Sequence, residues 1–355
     1  MMPDRPARVL LLAMYQLGGG ESGPLVRIGA VRAALSRRVS LDAISGARMA
    51  RAAGMLQYAL RGRLHGLAGI YVESSSSLPG PVDLLFLALA RAVGVPVVTY
   101  IRDAYQLFPE YYPVTSTRRR ISRTAFLPVF RTLARLSSVV AFPSRGLAHA
   151  VLGNDDRARS ATLLPPGARL PNLPPFDPAA REILYVGSLA HRASGGDLLV
   201  EAMRQVRERG HDLRLICVAP AGQEPREPHP EWLEMARGGN QEIVSLLPDV
   251  VATIIPRPRT PYNDLAVPIK VFEYLGYGRP LVVTDATETA AIVREAGCGL
   301  VVPATADGLA DALAAVADAP AAQLVRWSEA ARLAATANSW DARAASILEL
   351  MGISE

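Results

Sequence analysis

The chain has few cysteines, no long apolar run and no internal repeat. Cys217 and Cys298 are the two cysteines in 355 residues, and both sit in apolar, strand-like runs. That excludes a disulfide framework or a cysteine-built metal site and reads as buried thiols in a reducing compartment. No window approaches the ~18 consecutive apolar residues of a membrane-spanning helix. The run from Val9 to Met14 is too short for a signal-peptide core, so the expected location is the cytoplasm. No carboxylate pair is spaced for a metal, no motif points to nucleic acid, and the one compositional bias is an alanine-rich tail. The expectation is therefore no metal, no cofactor and no nucleic-acid partner.

What is present is globular: half the residues are apolar and a fifth are charged. The length exceeds one ordinary core, so two domains are expected. The net charge of +5 favours anionic partners, though an arginine excess also suits a solvated surface. Short apolar runs (Ala7 to Ala13, Gly69 to Val72, Val95 to Tyr100, Val139 to Phe142) alternate with helical patterns at Pro24 to Arg38 and Val82 to Val93. That alternation predicts βαβ units and a parallel sheet. A proline-rich shift from Leu164 to Ala180 marks the boundary. A second α/β half follows, with strand-like runs at Ile183–Val186, Leu213–Val218, Ile243–Leu247 and Val250–Ile255, a helix at Gly196–Arg209 and a break near Asn338. The predicted division is 1–170, a linker at 171–181, a second domain at 182–337 and a terminal helix at 338–355.

The chemistry concentrates in VPIKVFEYLGYGRPLVV, Val267 to Val283. Pro268 suits a first helical turn, and Asn263 or Asp264 suits the cap of the turn before it. Gly276, Gly278 and Pro280 stop the helix. Ile269, Phe272 and Leu275 are expected to face the core; Lys270, Glu273, Tyr274 and Tyr277 fall on the other side. A helix N-terminus with a lysine suits a phosphate, and a carboxylate suits a ribose diol. The alternative is a surface helix with one i,i+3 ion pair worth a few tenths of a kcal/mol.

The segment, continuing into Thr284 and Asp285, resembles the donor-binding signature of GT-B glycosyltransferases related to the retaining family 4. Ala296 to Pro303 (AGCGLVVP), Ala141 to Leu147 (AFPSRGL), Leu163 to Ala168 (LLPPGA), Tyr185 to Leu189 (YVGSL) and Asn338 to Leu350 are similar to other parts of that fold. The resemblance implies an α/β GT-B architecture: two Rossmann-like domains facing each other across a cleft, the last helix crossing back to the first. It implies a retaining, metal-independent transferase of hexosyl type with a UDP-, GDP- or dTDP-linked sugar as co-substrate. The acceptor is open between lipid-linked, polysaccharide and small-molecule classes. Glu273 takes the ribose position; Gly187, Ser188, His191, Arg192, Asp264, Pro268 and Lys270 are the donor-side candidates. Arg257 or Arg259 are substitutes for missing cations.

On the other half, Arg102 and Asp103 in TYIRDAYQLFPEYYP are the catalytic candidates, since they follow a buried strand at the edge where α/β sites collect. The family's histidine is replaced by Arg102, which suits a sugar hydroxyl or pairing with Asp103 or Glu110. Tyr105, Phe108, Tyr111 and Tyr112 form a platform or half-buried packing. Two further departures stand out: Ser188 and Ser194 replace the usual phosphate-binding cations, and Leu265 replaces an earlier glutamate. They leave room for a transfer-inactive nucleotide-binding protein. Gly18, Gly19 and Gly20 are the candidates for the acceptor-side loop. Gly18, Gly20 and Gly23, with Asp42, also satisfy a dinucleotide fingerprint, which keeps an NAD-dependent oxidoreductase as a rival. Pro24 argues against it, as does the lack of a His–Asp pair. Arg118 to Arg135 holds six arginines, interrupted by Pro128, and suits a solvated face or contact with the inner face of a membrane.

Overall fold

The computed structural model describes residues 6–17, 23–154, 156–190, 192–219 and 230–354. The chain divides into two compact units, Met1–Pro166 with Trp340–Glu355, and Gly167–Ser339. The proline-rich stretch 171–181 falls in the second unit.

The first unit runs β1 (Arg8–Ala13), α1 (Gly23–Ser36), β2 (Ser40–Ile44), α2 (Arg48–Leu60), β3 (Gly69–Glu73), α3 (Pro81–Ala92), β4 (Val97–Tyr100), α4 (Thr117–Leu136), β5 (Val139–Phe142), α5 (Arg145–Leu152), α6 (Asp156–Arg159) and β6 (Thr162–Leu163). The strands form one parallel sheet in the order β2-β1-β3-β4-β5-β6. Side chains alternate across it, as the strand period of two demands. Leu10 and Leu12 enter a core with α2, α3, α4 and α5, while Val9, Leu11 and Ala13 enter another with α1 and the chain's last helix. A strand buried on both faces reads as a continuous apolar run, which is why β1 was visible in the sequence.

The second unit runs β7 (Glu182–Val186), α7 (Gly196–Glu208), β8 (Arg214–Val218), β9 (Leu233–Ala236), α8 (Asn240–Leu246), β10 (Val250–Ile255), α9 (Ile269–Gly276), β11 (Leu281–Thr284), α10 (Thr287–Ala296), β12 (Gly299–Val302), α11 (Ala306–Asp318) and α12 (Ala321–Ala337). Its parallel sheet is ordered β12-β11-β10-β7-β8-β9. The last helix, α13 (Trp340–Leu350), belongs to the first unit and packs on α1.

Two local expectations fail. Ile243–Leu247 is helical, not a strand: the Glu242 carboxylate reaches back to accept the Gly239 N–H at 2.8 Å and starts a turn. Pro128 does not interrupt α4, which continues to Leu136. Pro128 lies on the exposed side, and Phe126 and Phe130 stack in the core at 4.3 Å, so packing outweighs the lost internal hydrogen bond.

Candidate functional site

In the second sheet the chain steps from β7 outward to β8 and β9, then returns beside β7 as β10 and steps the other way. The point where strand order reverses is where open α/β sheets leave a crevice beyond their strand ends. Here β7 ends into Gly187, and β10 ends into Pro256 and Arg257. The helix α9 starts nearby.

Pro268 is the N-cap of α9, with φ −70° and ψ 141°, rather than its first helical residue. Val271, Phe272, Tyr274 and Leu275 are buried, and Ile269 is half-buried. Tyr274 and Tyr277, expected on the outer face, are buried too, because α9 is wedged between the sheet and α12. The Tyr274 hydroxyl accepts the Val186 N–H at 2.7 Å, which fixes α9 to the end of β7. Gly276 is obligatory: a Cβ there would lie 2.2 Å from the Arg169 carbonyl. Gly278 closes the helix at φ +60°, and Ser328 donates to its carbonyl at 2.7 Å.

This packing leaves two side chains of α9 without a described hydrogen-bond or ion-pair partner. Lys270 makes no hydrogen bond or ion pair with a described residue; its ammonium lies 5.5 Å from the Tyr185 ring centroid. It is also the single lysine of the whole sequence, a signal that residue counting alone could have raised. Lys270 and Glu273 do not form the i,i+3 ion pair that the surface-helix reading required. Glu273 is half-buried, and its carboxylate accepts no hydrogen bond from a described residue. Burial pushes its pKa up, against the opposing charges of Arg169 and Lys270. Burial pulls the Lys270 pKa down to about 8, the Arg257 charge pulls the same way, and Glu273 opposes both. Arg257 itself has a buried Nη1 with no hydrogen-bond partner among the described residues. Two cations without ion-pair partners, the Arg257 charge lowering the Lys270 pKa, beside a carboxylate that accepts no described hydrogen bond, are chemically suited to an anion that carries hydroxyls. Arg259, the other substitute cation, is spent on Asp264 at 2.9 Å.

The loop before α7 is shaped by close approach. Gly187 has φ +152°, and a Cβ there would sit 2.6 Å from the Lys270 Nζ. Its carbonyl accepts the Cys217 thiol at 3.3 Å. Gly195 has φ +78° and a Cβ there would meet the Pro256 carbonyl at 1.7 Å; one on Gly196 would meet the Leu189 carbonyl at 2.0 Å. The loop is thus pressed onto its surroundings, with no room for a side chain at Gly195 or Gly196. Ser188 is nearly buried in it. Arg192 lies in a short 3-10 turn, Arg192–Ser194, and His191 lies outside the described residues. Asp264 points elsewhere: it accepts both Arg259 donors and caps α10 through the Thr287 N–H at 3.2 Å. Thr260, not Asn263 or Asp264, caps its own turn, accepting the Asn263 N–H at 3.0 Å.

In the first unit Arg102 and Asp103 pair with each other. The Arg102 Nε donates to Asp103 Oδ2 at 2.8 Å, its Nη2 to Ser76 Oγ at 2.9 Å, and Ser76 Oγ donates to Asp103 Oδ2 at 3.0 Å. Asp103 Oδ1 is buried without a partner among the described residues. Ser76 also accepts the Gln106 side chain through its carbonyl and lines a cavity of about 780 Å³ with Arg48, Tyr112, Ser116, Arg118 and Arg119. Sequence reasoning missed Ser76, which sits in a plain SSSS run. It also missed a buried network behind this edge: Arg27 Nε donates to Glu73 Oε1 at 2.9 Å, Tyr71 donates to Glu73 Oε2 at 2.8 Å, and the guanidinium lies 3.6 Å from the Tyr100 ring centroid. Phe108 is buried, while Tyr105, Tyr111 and Tyr112 are half-buried. Gly18, Gly19 and Gly20 lie outside the described residues. Asp42, the acid of the dinucleotide fingerprint, accepts the Tyr58 hydroxyl at 2.7 Å.

Residues 180–319 match the family model described as glycosyl transferases group 1. The chain has the GT-B glycosyltransferase fold. It is similar to the sucrose-phosphate synthase of Thermosynechococcus elongatus at TM-score 0.67 and 13% identity, covering 97% of this chain and 98% of that one. It is similar to a UDP-forming α,α-trehalose-phosphate synthase of Burkholderia xenovorans, solved with glucose-6-phosphate, at TM-score 0.63 and 12% identity, covering 98% and 100%. Anabaena HepE, solved with UDP and glucose, gives TM-score 0.63 and 13% identity over 97% and 99%. At such identities the likeness speaks for the fold. No curated protein matches the sequence, and nothing in fold or comparison favours the oxidoreductase reading.

Proposed function

We propose that this GT-B chain transfers a hexosyl group from a nucleoside diphosphate sugar to an acceptor, with retention and without a metal. One observation carries the donor half: Lys270, Arg257 and Glu273 gather unpaired at the sheet's switch point. The two cations and the N–H groups of α9 neutralise the diphosphate, whose charge grows as the sugar–oxygen bond breaks. Glu273 accepts the ribose hydroxyls through charge-assisted bonds. Gly187 and Gly195 let backbone, rather than side chains, border the nucleotide. Ser188, Arg192 and His191 complete the donor loop in this reading. Arg102 and Asp103, locked by Ser76, hold acceptor hydroxyls in the first unit, with Asp103 Oδ1 as the open acceptor. Retention and metal independence rest on the resemblance to family 4.

Calorimetry against UDP, GDP, dTDP and their glucose and mannose conjugates tests this. Binding of at least one is expected, and Glu273→Ala lowers its affinity by about 1.5–3 kcal/mol. Unchanged affinity in that variant removes the ribose assignment. Tight binding with no turnover or hydrolysis of any conjugate favours the transfer-inactive reading instead.

A further inference from the structure

The exposed large apolar side chains of the described residues are not scattered. Of twelve, seven lie on α2, on α3 and at the residue after α3: Met49, Leu56, Leu60, Val82, Leu85, Leu89 and Val93. Met49 is 82% exposed, Leu60 78% and Leu85 70%. Their spacing is helical. Met49, Leu56 and Leu60 share one face of α2, with exposed Ala53 between them; Val82, Leu85 and Leu89 share one face of α3. The opposite faces bury Met55 and Tyr58, and Phe86, Leu87 and Ala90, in the same core. The two helices therefore lie side by side in one layer and turn both apolar stripes outward. A fully buried bidentate pair fixes them together: Arg51 donates to both oxygens of Asp83 at 2.7 Å. An apolar patch of this extent on a folded protein marks a contact surface.

Its charge says which surface. Asp83 is the only acidic residue on α2, α3 and α4, and it is buried. Exposed arginines end and continue the same layer: Arg48 at the start of α2, donating to the Leu78 carbonyl at 2.9 Å, Arg61 just after α2, and Arg118, Arg120 and Arg123 with exposed Ile121 at the start of α4. Arg131, further along α4, is instead tied to the Val151 carbonyl at 3.1 Å. The first unit as a whole carries 22 arginines against 12 acids, +10, while the second carries 16 cations against 21 acids, −5. An apolar face rimmed by arginine, with no solvent-facing carboxylate, complements the headgroup region of an anionic bilayer. A second copy docking by the same face would set arginine against arginine, because this face offers no acids of its own.

We propose that the outward face of α2 and α3, with the first two turns of α4, is a bilayer-docking surface specific for anionic lipid. It extends the transferase reading, because the cavity lined by Arg48, Ser76 and Arg118 opens between the start of α2 and the start of α4, where an acceptor's phosphate-bearing headgroup is presented from the membrane. The surface itself does not depend on donor chemistry.

Vesicle flotation of the full chain tests it. Phosphatidylcholine vesicles containing phosphatidylglycerol are expected to carry the protein up, with binding weakened by salt, and pure phosphatidylcholine vesicles to carry at least about tenfold less. Leu56→Ser with Leu60→Ser and Leu85→Ser is expected to reduce binding to the anionic vesicles about tenfold or more, with melting temperature and nucleotide affinity unchanged. Arg118→Gln with Arg120→Gln and Arg123→Gln is expected to abolish the preference for phosphatidylglycerol. Equal binding by the leucine variant, or no flotation of the wild type on anionic vesicles, overturns the proposal. So does a dimer by light scattering that the leucine variant splits, since the patch would then be covered by a second copy. Flotation failing while donor turnover persists condemns the surface alone; donor binding failing while flotation persists condemns the transferase reading alone.

Discussion

The two units share a plan, six parallel strands with helices on both faces and one reversal of strand order, yet they treat charge at that reversal in opposite ways. In the first unit the charges near the ends of β1, β3 and β4 are closed into pairs, Arg27 with Glu73 and Arg102 with Asp103. In the second, the Lys270, Arg257 and Glu273 side chains stand near one another and make no ion pair with a described residue. Paired charges hold a surface in shape and leave little field to offer. Unpaired charges of opposite role, kept half out of water, store binding capacity for a ligand that brings the missing partners. The difference is what the proposed function rests on: a donor site in the second unit and an acceptor surface in the first.

The sharpest way to break that comparison is to open a pair in the first unit. Arg27 and Glu73 are 1% and 0% exposed. Arg27→Met leaves the Glu73 carboxylate buried with only Tyr71 to satisfy it, and is expected to cost about 3–5 kcal/mol of stability. Arg27→Met with Glu73→Met is expected to recover most of that loss. Denaturant midpoints of the three proteins check the order. A single variant as stable as the wild type would show that these charges are not closed structural pairs at all.

How much of this was legible beforehand follows the same division. The sheet of the second unit and its α9 segment were readable because a buried parallel strand is a plain apolar run and because Lys270, Glu273, Gly276 and Gly278 lie within nine residues. That Lys270 lacks an ion-pair partner was not readable, since it depends on how α9 packs, with Tyr274 and Tyr277 buried together and 6.0 Å apart between ring centroids. In the first unit β2 and α2 went unmarked: β2 is an edge strand whose residues are half-buried or exposed, and α2 shows the solvent an apolar stripe that blurs its helical period. Arg27 and Arg102 are distant in sequence from Glu73 and Ser76, and no local motif joins them; only the sheet order brings them to one edge.

A second test works on the loop that borders the proposed donor site. Gly195 has φ +78° and its Cα faces the Pro256 carbonyl, with 1.7 Å available to a Cβ. Gly195→Ala must both leave the left-handed region and push the loop off the end of β10, at about 1–3 kcal/mol for the backbone alone. Nucleotide affinity is expected to fall with it, because Gly187 and Lys270 share that loop's footing. Gly210→Ala, at φ +90° with open space around it, is the control: strained to a similar degree but remote from the loop, it is expected to lower stability and leave affinity intact. Equal affinity losses in both would show that the loop acts only through stability.

The gentlest test uses proton linkage at Lys270, whose pKa is about 8 in the folded, ligand-free chain against 10.5 for a free lysine. Between those values the unfolded chain holds the proton that the folded chain has lost, so stability from this residue rises as pH rises from about 8 toward 10.5. A diphosphate reverses the sign, since it favours the charged ammonium. Affinity for a nucleoside diphosphate is therefore expected to be level below pH about 8 and to fall above it, by up to about tenfold per pH unit. Lys270→Met is expected to bind more weakly, to lose that slope, and to be more stable than the wild type at neutral pH without ligand. Calorimetric titrations of both proteins across mildly alkaline pH distinguish an ammonium held open for phosphate from one that merely fills space: in the second case the wild-type slope is absent and the two affinity profiles run parallel.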